Sequence, residues 1–395
     1  MYIKNQYDEI NINNQQINID EYETVVENIN RVLDHIQNYK ILATKTSRHF
    51  AIKHIKEIND ILVNPIEIIS ARPAQKTYPN VNGIYLILRT MGILRFKVSK
   101  KEIVMGIDEG ILENWKKLNS TEQYFMLLEF WLVHAHPKDI IGAYDRLILR
   151  DVGDFFTINR ASSLKRTIEL LDYFPGYYGL ALYEMFGFIA IETKKPKEKN
   201  SWNVTDIKVR PLIKKLLPLI SINEDETRSL IFNPVKLGFF QDKVQPYFKE
   251  YKNILEYPKH KEIDGVYRLK ISLGKVYRTI EIDSKESLDF LAYTILKQFN
   301  FENDHLHVFN FTDNFGKKIS IGHYELSETD FCTDEYDIKN IPLGEQENFE
   351  FIFDFSDYWK FDILIEKIDE GRSIAEVELI KSHGEAPEQY DENEW

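Results

Sequence analysis

The chain has one cysteine, Cys332, in 395 residues. An intrachain disulfide is therefore excluded, and so is a zinc site built from cysteines. No apolar run approaches the roughly 18 residues a membrane-spanning helix needs. Residues 1–20 are polar and Asn-rich, without the apolar stretch of a signal peptide. There is no Gly-rich phosphate loop, no serine nucleophile elbow and no dinucleotide fingerprint. Gly106-Ile-Asp-Glu-Gly110 has glycines but not the strand and helix around them. With 17 Gly and 13 Pro the composition is neither collagenous nor of low complexity. These absences remove the common nucleotide-dependent enzymes and predict a cytoplasmic protein with no membrane partner.

What is present is a globular composition, 43% hydrophobic and 29% charged. At about 150 residues per domain, the length predicts two or three domains. The net charge of −13 hides a division. Residues 262–395 hold 13 Lys and Arg against 31 Asp and Glu, while the rest holds 37 against 32. A mildly basic front and a strongly acidic back imply differently employed parts.

After the polar arm, Val25, Ile29, Val32, Leu33 and Ile36 recur at helix spacing. A second helix is predicted over 46–63, with Lys45, Arg48, His49, Lys53 and Lys56 near its polar side. A pattern then occurs twice. An apolar helix over 84–91 stops at Gly92, and strands over 93–98 and 102–107 follow. An apolar helix over 180–186 stops at Gly187, with strands over 188–193 and 204–209 and a Pro-started helix from Pro211. Helix, glycine, strand, wing, strand is the order of a winged helix. Between the copies, Ser120-Thr-Glu-Gln123 reads as a capping box opening a helix over 124–134. Further helices are expected over 138–149 and 162–173.

The period changes after residue 262. Alternating residues over 266–273 and 275–282 around Gly274 predict a hairpin. A helix capped by Ser284 or Ser287 should run to Phe299, followed by a strand over 305–311. Phe349, Phe351, Phe353 and Phe355 alternate before a turn and the strand residues Phe361, Ile363 and Ile365. The expected fold class is multidomain α+β. It comprises a polar arm (1–20), a first winged-helix-like unit (21–135), a second (136–220), a helical linker (221–262) and an acidic α+β domain of β-grasp-like order (263–395).

Four stretches of that last domain stand out: Tyr267-Arg-Leu-Lys-Ile271, Asn303-Asp-His-Leu-His-Val-Phe309, Phe353-Asp-Phe-Ser-Asp-Tyr-Trp359 and Gly384-Glu-Ala-Pro-Glu388. In this order they resemble the Ri-plasmid ORF-3-like family, also described as TnpR-like passenger proteins of insertion elements. Ser356 stands where the family has a turn glycine, and Tyr390 where a glycine pair is usual. The resemblance implies a place in bacterial mobile elements and no established activity. A resolvase would need a nucleophilic serine with clustered arginines, which the sequence lacks.

Two constellations carry chemistry. Asp304, His305, His307, Asp354 and Asp357 could supply metal ligands or a base for phosphodiester hydrolysis. If 305 and 307 share a strand, they face the same side, and the imidazoles could hold a divalent metal. The plainer reading is hydrogen bonding at a turn. The second constellation is basic: Lys194, Lys195, Lys197, Lys199, Lys208, Arg210, Lys214 and Lys215 face only Glu198 and Asp206 within 193–215. Such a wing could track the phosphates of DNA or RNA, with Trp202 stacking or buried. The helices over 84–91 and 180–186 are too apolar to read bases. The acidic domain and its tail suit a basic protein partner. The sequence thus supports a non-enzymatic binding or regulatory protein without cofactor, and a metal-dependent hydrolase as the alternative.

Overall fold

The computed structural model describes residues 23–98, 101–143, 152, 155–156, 176–221, 236–257, 262–313, 316–326 and 329–390. The polar arm over 1–20 and the helix expected over 162–173 lie outside these residues. Apart from the four residues Lys97–Lys100, the chain divides into a unit that runs to Pro258 and one that starts at Lys259.

In the first unit, helix α1 (Val25–Asn38) buries the stripe Val25, Ile29, Val32, Leu33 and Ile36. Each such side chain contributes about 1.5–3 kcal/mol on leaving water. Strand β1 (Ile41–Ala43), α2 (Ile52–Ile61), α3 (Pro79–Thr90), β2 (Leu94–Val98) and β3 (Ile103–Ile107) follow. The three strands form one sheet in the order β1-β3-β2, with β1 and β3 antiparallel. Helix α3 starts earlier than its apolar run because Pro79 pre-sets the first turn. Helices α4 (Glu109–Lys117), α5 (Ser120–Glu129) and α6 (Pro137–Ile141) come next, the last two joined by a wider π-type turn over Phe130–His134. The α5 capping box sits one residue before its expected place. Asn119 accepts from the Glu122 amide at 3.0 Å, and Glu122 accepts from the Asn119 amide at 3.0 Å. Gln123 instead donates to the Trp115 carbonyl at 3.0 Å.

The second copy of the pattern comprises α7 (Gly176–Met185), the hairpin β4 (Ile189–Thr193) and β5 (Val204–Val209), and α8 (Pro211–Ile220). Gly92 and Gly187 take φ of +67° and +75°, left-handed conformations that end the apolar helices before each hairpin. Helices α3 and α7 meet closely. A Cβ built on Gly83 would stand 2.8 Å from Leu182 Cγ.

Residues 236–257 pack on α5 through two buried glutamates. Glu122 Oε1 accepts from the backbone amides of Lys252 and Asn253 at 3.0 and 2.7 Å. Glu129 accepts from the amides of Gly238 and Phe240 at 2.8 and 3.3 Å and lies 3.1 Å from His134 Nε2.

The second unit is mixed α+β with one large sheet. Its strands are β6 (Gly265–Leu273), β7 (Val276–Asp283), β8 (His307–Thr312), β9 (Lys318–Gly322), β10 (Phe331–Cys332), β11 (Asn348–Phe353), β12 (Trp359–Glu370) and β13 (Glu378–His383). Their order is β10-β9-β8-β11-β12-β6-β7-β13, antiparallel except at β10-β9. Helix α9 (Leu288–Gln298), capped by Ser287, covers one face. Its Leu288, Leu291 and Ile295 pack with Leu269, Ile271, Ile280, Phe351, Phe361 and Ile363. Strict alternation puts the aromatic and aliphatic residues of adjacent strands on that face, so the core follows from the period of two.

Candidate functional site

Strands β8 and β11 pair with His307 opposite Phe353, which lays 304–306 beside the β11–β12 turn. The Asp354 amide donates to the Leu306 carbonyl at 3.1 Å. Asp354 is buried at φ +54°, and its Oδ1 accepts from the Ser356 amide at 2.9 Å. The left-handed positions of this turn are Asp354 and Tyr358 and not Ser356, so the turn forms with serine in place of the glycine. The other Asp354 oxygen, Oδ2, stands 3.5 Å from His305 Nε2.

Asp304 lies toward the same ring nitrogen, with Oδ1 at 4.0 Å from Nε2. The chain's tail holds this carboxylate. Gln389 Nε2 donates to Oδ1 at 3.1 Å, and the Tyr390 hydroxyl donates to Oδ2 at 2.5 Å. Gln389 itself is 8% exposed and accepts from the Glu302 amide at 2.5 Å. Burial pushes the Asp304 carboxyl up, but the Tyr390 and Gln389 donors outweigh it and hold it below the usual range. The Tyr390 hydroxyl is pushed up to about 12, chiefly by the same bond. Three stretches far apart in sequence thus surround one half-exposed imidazole. A buried carboxylate behind an exposed imidazole can orient it and stabilise its charged form.

His307 has other neighbours. The strand begins at His307, so His305 lies before it and the two side chains are not presented as one pair. His307 is 2% exposed. Its Nε2 lies 3.4 Å from Thr333 Oγ1 and 3.6 Å from Asp289 Oδ1, and its ring is 5.4 Å from that of His323. Burial pushes its pKa down to about 4, against the pull of Asp289. Asp357 is exposed on the turn. Among the described residues no three His, Cys, Asp or Glu side chains are placed to hold one metal ion.

In the basic stretch, Lys194, Lys195, Lys197 and Lys199 are exposed on the loop between β4 and β5. The loop is pinned. Lys194 N donates to the Asn203 carbonyl at 3.0 Å, Asn203 Nδ2 to the Lys195 carbonyl at 2.8 Å, and the Asn200 amide to the Ile69 carbonyl at 3.0 Å. Pro196 and Trp202 are buried beneath it. Lys208 is spent differently, paired with Glu192 and 3.8 Å from Asp206. Its pKa is raised, chiefly by the Glu192 hydrogen bond. Arg210 is half-buried at the start of α8, where Lys214 is exposed and Lys215 half-buried.

Asp289, His323, Thr333, Gln389 and Tyr390 carry no signal in a local reading, except that the last two follow the tail motif. Asp289 and Thr333 reach His307 from a helix start and a loop, and only the folded chain shows this.

Among the described residues no helix is long and apolar enough to cross a membrane. The second unit is a mixed α+β domain built on one 8-stranded sheet. The family model for plasmid pRiA4b ORF-3-like protein matches residues 265–390, so the second unit carries a domain of that family. No curated protein matches the chain. A solved structure, a protein of unknown function from Methanosarcina mazei Go1, is similar at 21% identity over 31% of this chain and 72% of that one, with a TM-score of 0.27.

Proposed function

We propose that this chain is a non-enzymatic binding protein of a bacterial mobile element, or of a defence or counter-defence system. Its first unit holds nucleic acid through the β4–β5 loop, and its acidic second unit holds a basic protein. The observation that carries the reading is the pinned loop with four exposed lysines, none of which has an ion-pair partner among the described residues. The backbone bonds fix where the lysine stems leave the loop, and ammonium groups that meet phosphates displace condensed counterions. The helix and strand order, with the sheet order β1-β3-β2, supports reading the first copy as a winged helix and this loop as the wing of the second. Metal-dependent hydrolysis draws less support, because His305 and His307 have different neighbours.

The test is fluorescence anisotropy of the full chain on a labelled 20-base-pair duplex across a salt series. Binding at low salt should weaken linearly in log–log form. Replacing Lys194, Lys195, Lys197 and Lys199 by glutamine should reduce the slope by about 3 to 4. No binding at any salt, or an unchanged slope in the variant, would overturn the proposal.

A further inference from the structure

We infer that the nucleic acid held by this loop is double-stranded and that the protein grips its phosphate backbone without reading base sequence. The inference rests on the proposed nucleic-acid contact and specifies its ligand. Two observations carry it, one on each way a protein can sense bases.

The first concerns the helices. In a winged helix, the helix before the hairpin enters the major groove and reads base edges with Arg, Lys, Asn or Gln. Here the corresponding helices are α3 and α7, and they are packed on each other. At their closest approach Gly83 lacks the Cβ that would stand 2.8 Å from Leu182 Cγ. Every residue of α3 is buried except the half-buried Arg89, whose guanidinium lies over the Phe96 ring at 4.8 Å. The polar side chains of α3 are also engaged: Asn80 donates to Asn59 Oδ1 at 2.9 Å, and Asn82 accepts from Gln75 at 3.0 Å. In α7, residues 179–183 and Met185 are buried, and Glu184 accepts from the Ile191 amide at 3.0 Å. Apart from the half-buried Arg89, the Arg, Lys, Asn and Gln side chains that could read bases are absent from these helices or already hydrogen-bonded.

The second observation concerns stacking. Single strands are gripped by exposed aromatic rings on which bases stack. The loop between β4 and β5 has one aromatic residue, Trp202, and it is buried at 8% exposure. The loop's exposed cations are Lys194, Lys195, Lys197 and Lys199, which are point charges, and only Glu198 among its exposed side chains opposes them. A duplex presents more charge per length than a single strand, and its salt dependence per contact is correspondingly steeper. The chemistry therefore favours a duplex backbone, from DNA or from RNA.

The experiment uses the full chain and four probes: a DNA duplex, an RNA duplex, a single strand of the same length, and a duplex pool with a randomised centre. Affinities for unrelated duplexes should agree within about threefold, the pool should yield no enriched motif after repeated selection, and the single strand should bind at least fivefold more weakly. Comparison of the DNA and RNA duplexes assigns the source of the backbone. Arg89→Ala should leave affinity within twofold, with circular dichroism checking that the variant folds. An enriched motif, tighter binding to the single strand, or a tenfold loss in a folded Arg89→Ala variant would overturn the inference while leaving nucleic-acid binding intact. Failure to bind any of the four probes would instead overturn the underlying proposal.

Discussion

Tyr390 donates a 2.5 Å hydrogen bond to the carboxylate of Asp304, a residue 86 positions earlier in the chain. With Gln389 beside it, this bond ties the tail after β13 to the segment that leads into β8, next to His305 and the Asp354 turn.

Tyr390→Phe removes that donor. Asp304 sits below its usual range in the folded chain because the donors outweigh its burial. Its contribution to stability is therefore present above pH about 4 and lost as pH falls through the lower folded value. The variant should lose about 1 kcal/mol at pH 7, little more because the site is half-exposed, and should match the parent at low pH. Urea unfolding of both chains at pH 7 and pH 3 measures this. An equal difference at both values would show that the bond does not depend on the carboxylate charge.

Glu122 should be among the most costly residues of the first unit to truncate. It accepts from three backbone amides and from Asn253 Nδ2 at 2.9 Å. Burial disfavours its charge, but these bonds prevail and hold its pKa below the usual value. Glu122→Ala removes the acceptor of three part-buried amides and should cost about 1–3 kcal/mol. The stabilisation is full above pH about 4.5 and disappears as pH falls through the folded value. Hydrogen exchange should speed up at Lys252 and Asn253 in particular. Unchanged exchange at these two amides would mean that other contacts hold the segment.

His307 gives the opposite kind of pH dependence. Burial pushes its pKa down to about 4, so the unfolded chain, titrating near 6.5, takes up the proton first. Stability should fall as pH drops from about 6.5 to 4, by on the order of 3 kcal/mol in total, with no effect of this group above 6.5. His307→Gln should flatten the profile in that window, measured by denaturant unfolding followed through a probe in the second unit. A profile unchanged by the substitution would assign the dependence to other groups.

Gly83→Ala tests the contact between α3 and α7. The added methyl would stand 2.8 Å from Leu182 Cγ, so one helix or the Leu182 side chain has to shift. Overpacking of this kind costs about 1–3 kcal/mol. Combining it with Leu182→Ala opens space, so the pair should be less destabilised than the two single losses added together. Strict additivity in thermal unfolding would show that the contact is not the source of the strain.

Local order was legible because it is written in local periods. The α1 stripe, the repeated helix–glycine–hairpin pattern and the alternating phenylalanines of β11 each repeat at the spacing of the element they form. The capping box was displaced by one residue because Asn119 and Ser120 are both good caps, and the mutual bonds of Asn119 and Glu122 decide between them. The strands β1, β9, β10 and β13 gave little signal. Two of them are only two or three residues long, and β13 is exposed throughout, so no apolar alternation marks it.

The mixed helix and strand content, the aromatic core face of the second unit and the family match of residues 265–390 are all readable from the amino-acid order. These depend on side-chain period and on motifs that a single stretch of chain contains. Folding sets which charges meet. It separated His307 from His305, brought Tyr390 to Asp304, paired Lys208 with Glu192 while leaving the loop lysines exposed, and locked Gly83 against Leu182. The difference is one of range. A period of two or 3.6 fixes the face on which a residue lies, but partners from 16 positions apart, as Lys208 and Glu192, to 86, as Tyr390 and Asp304, are chosen by packing and loop closure, which no local pattern encodes.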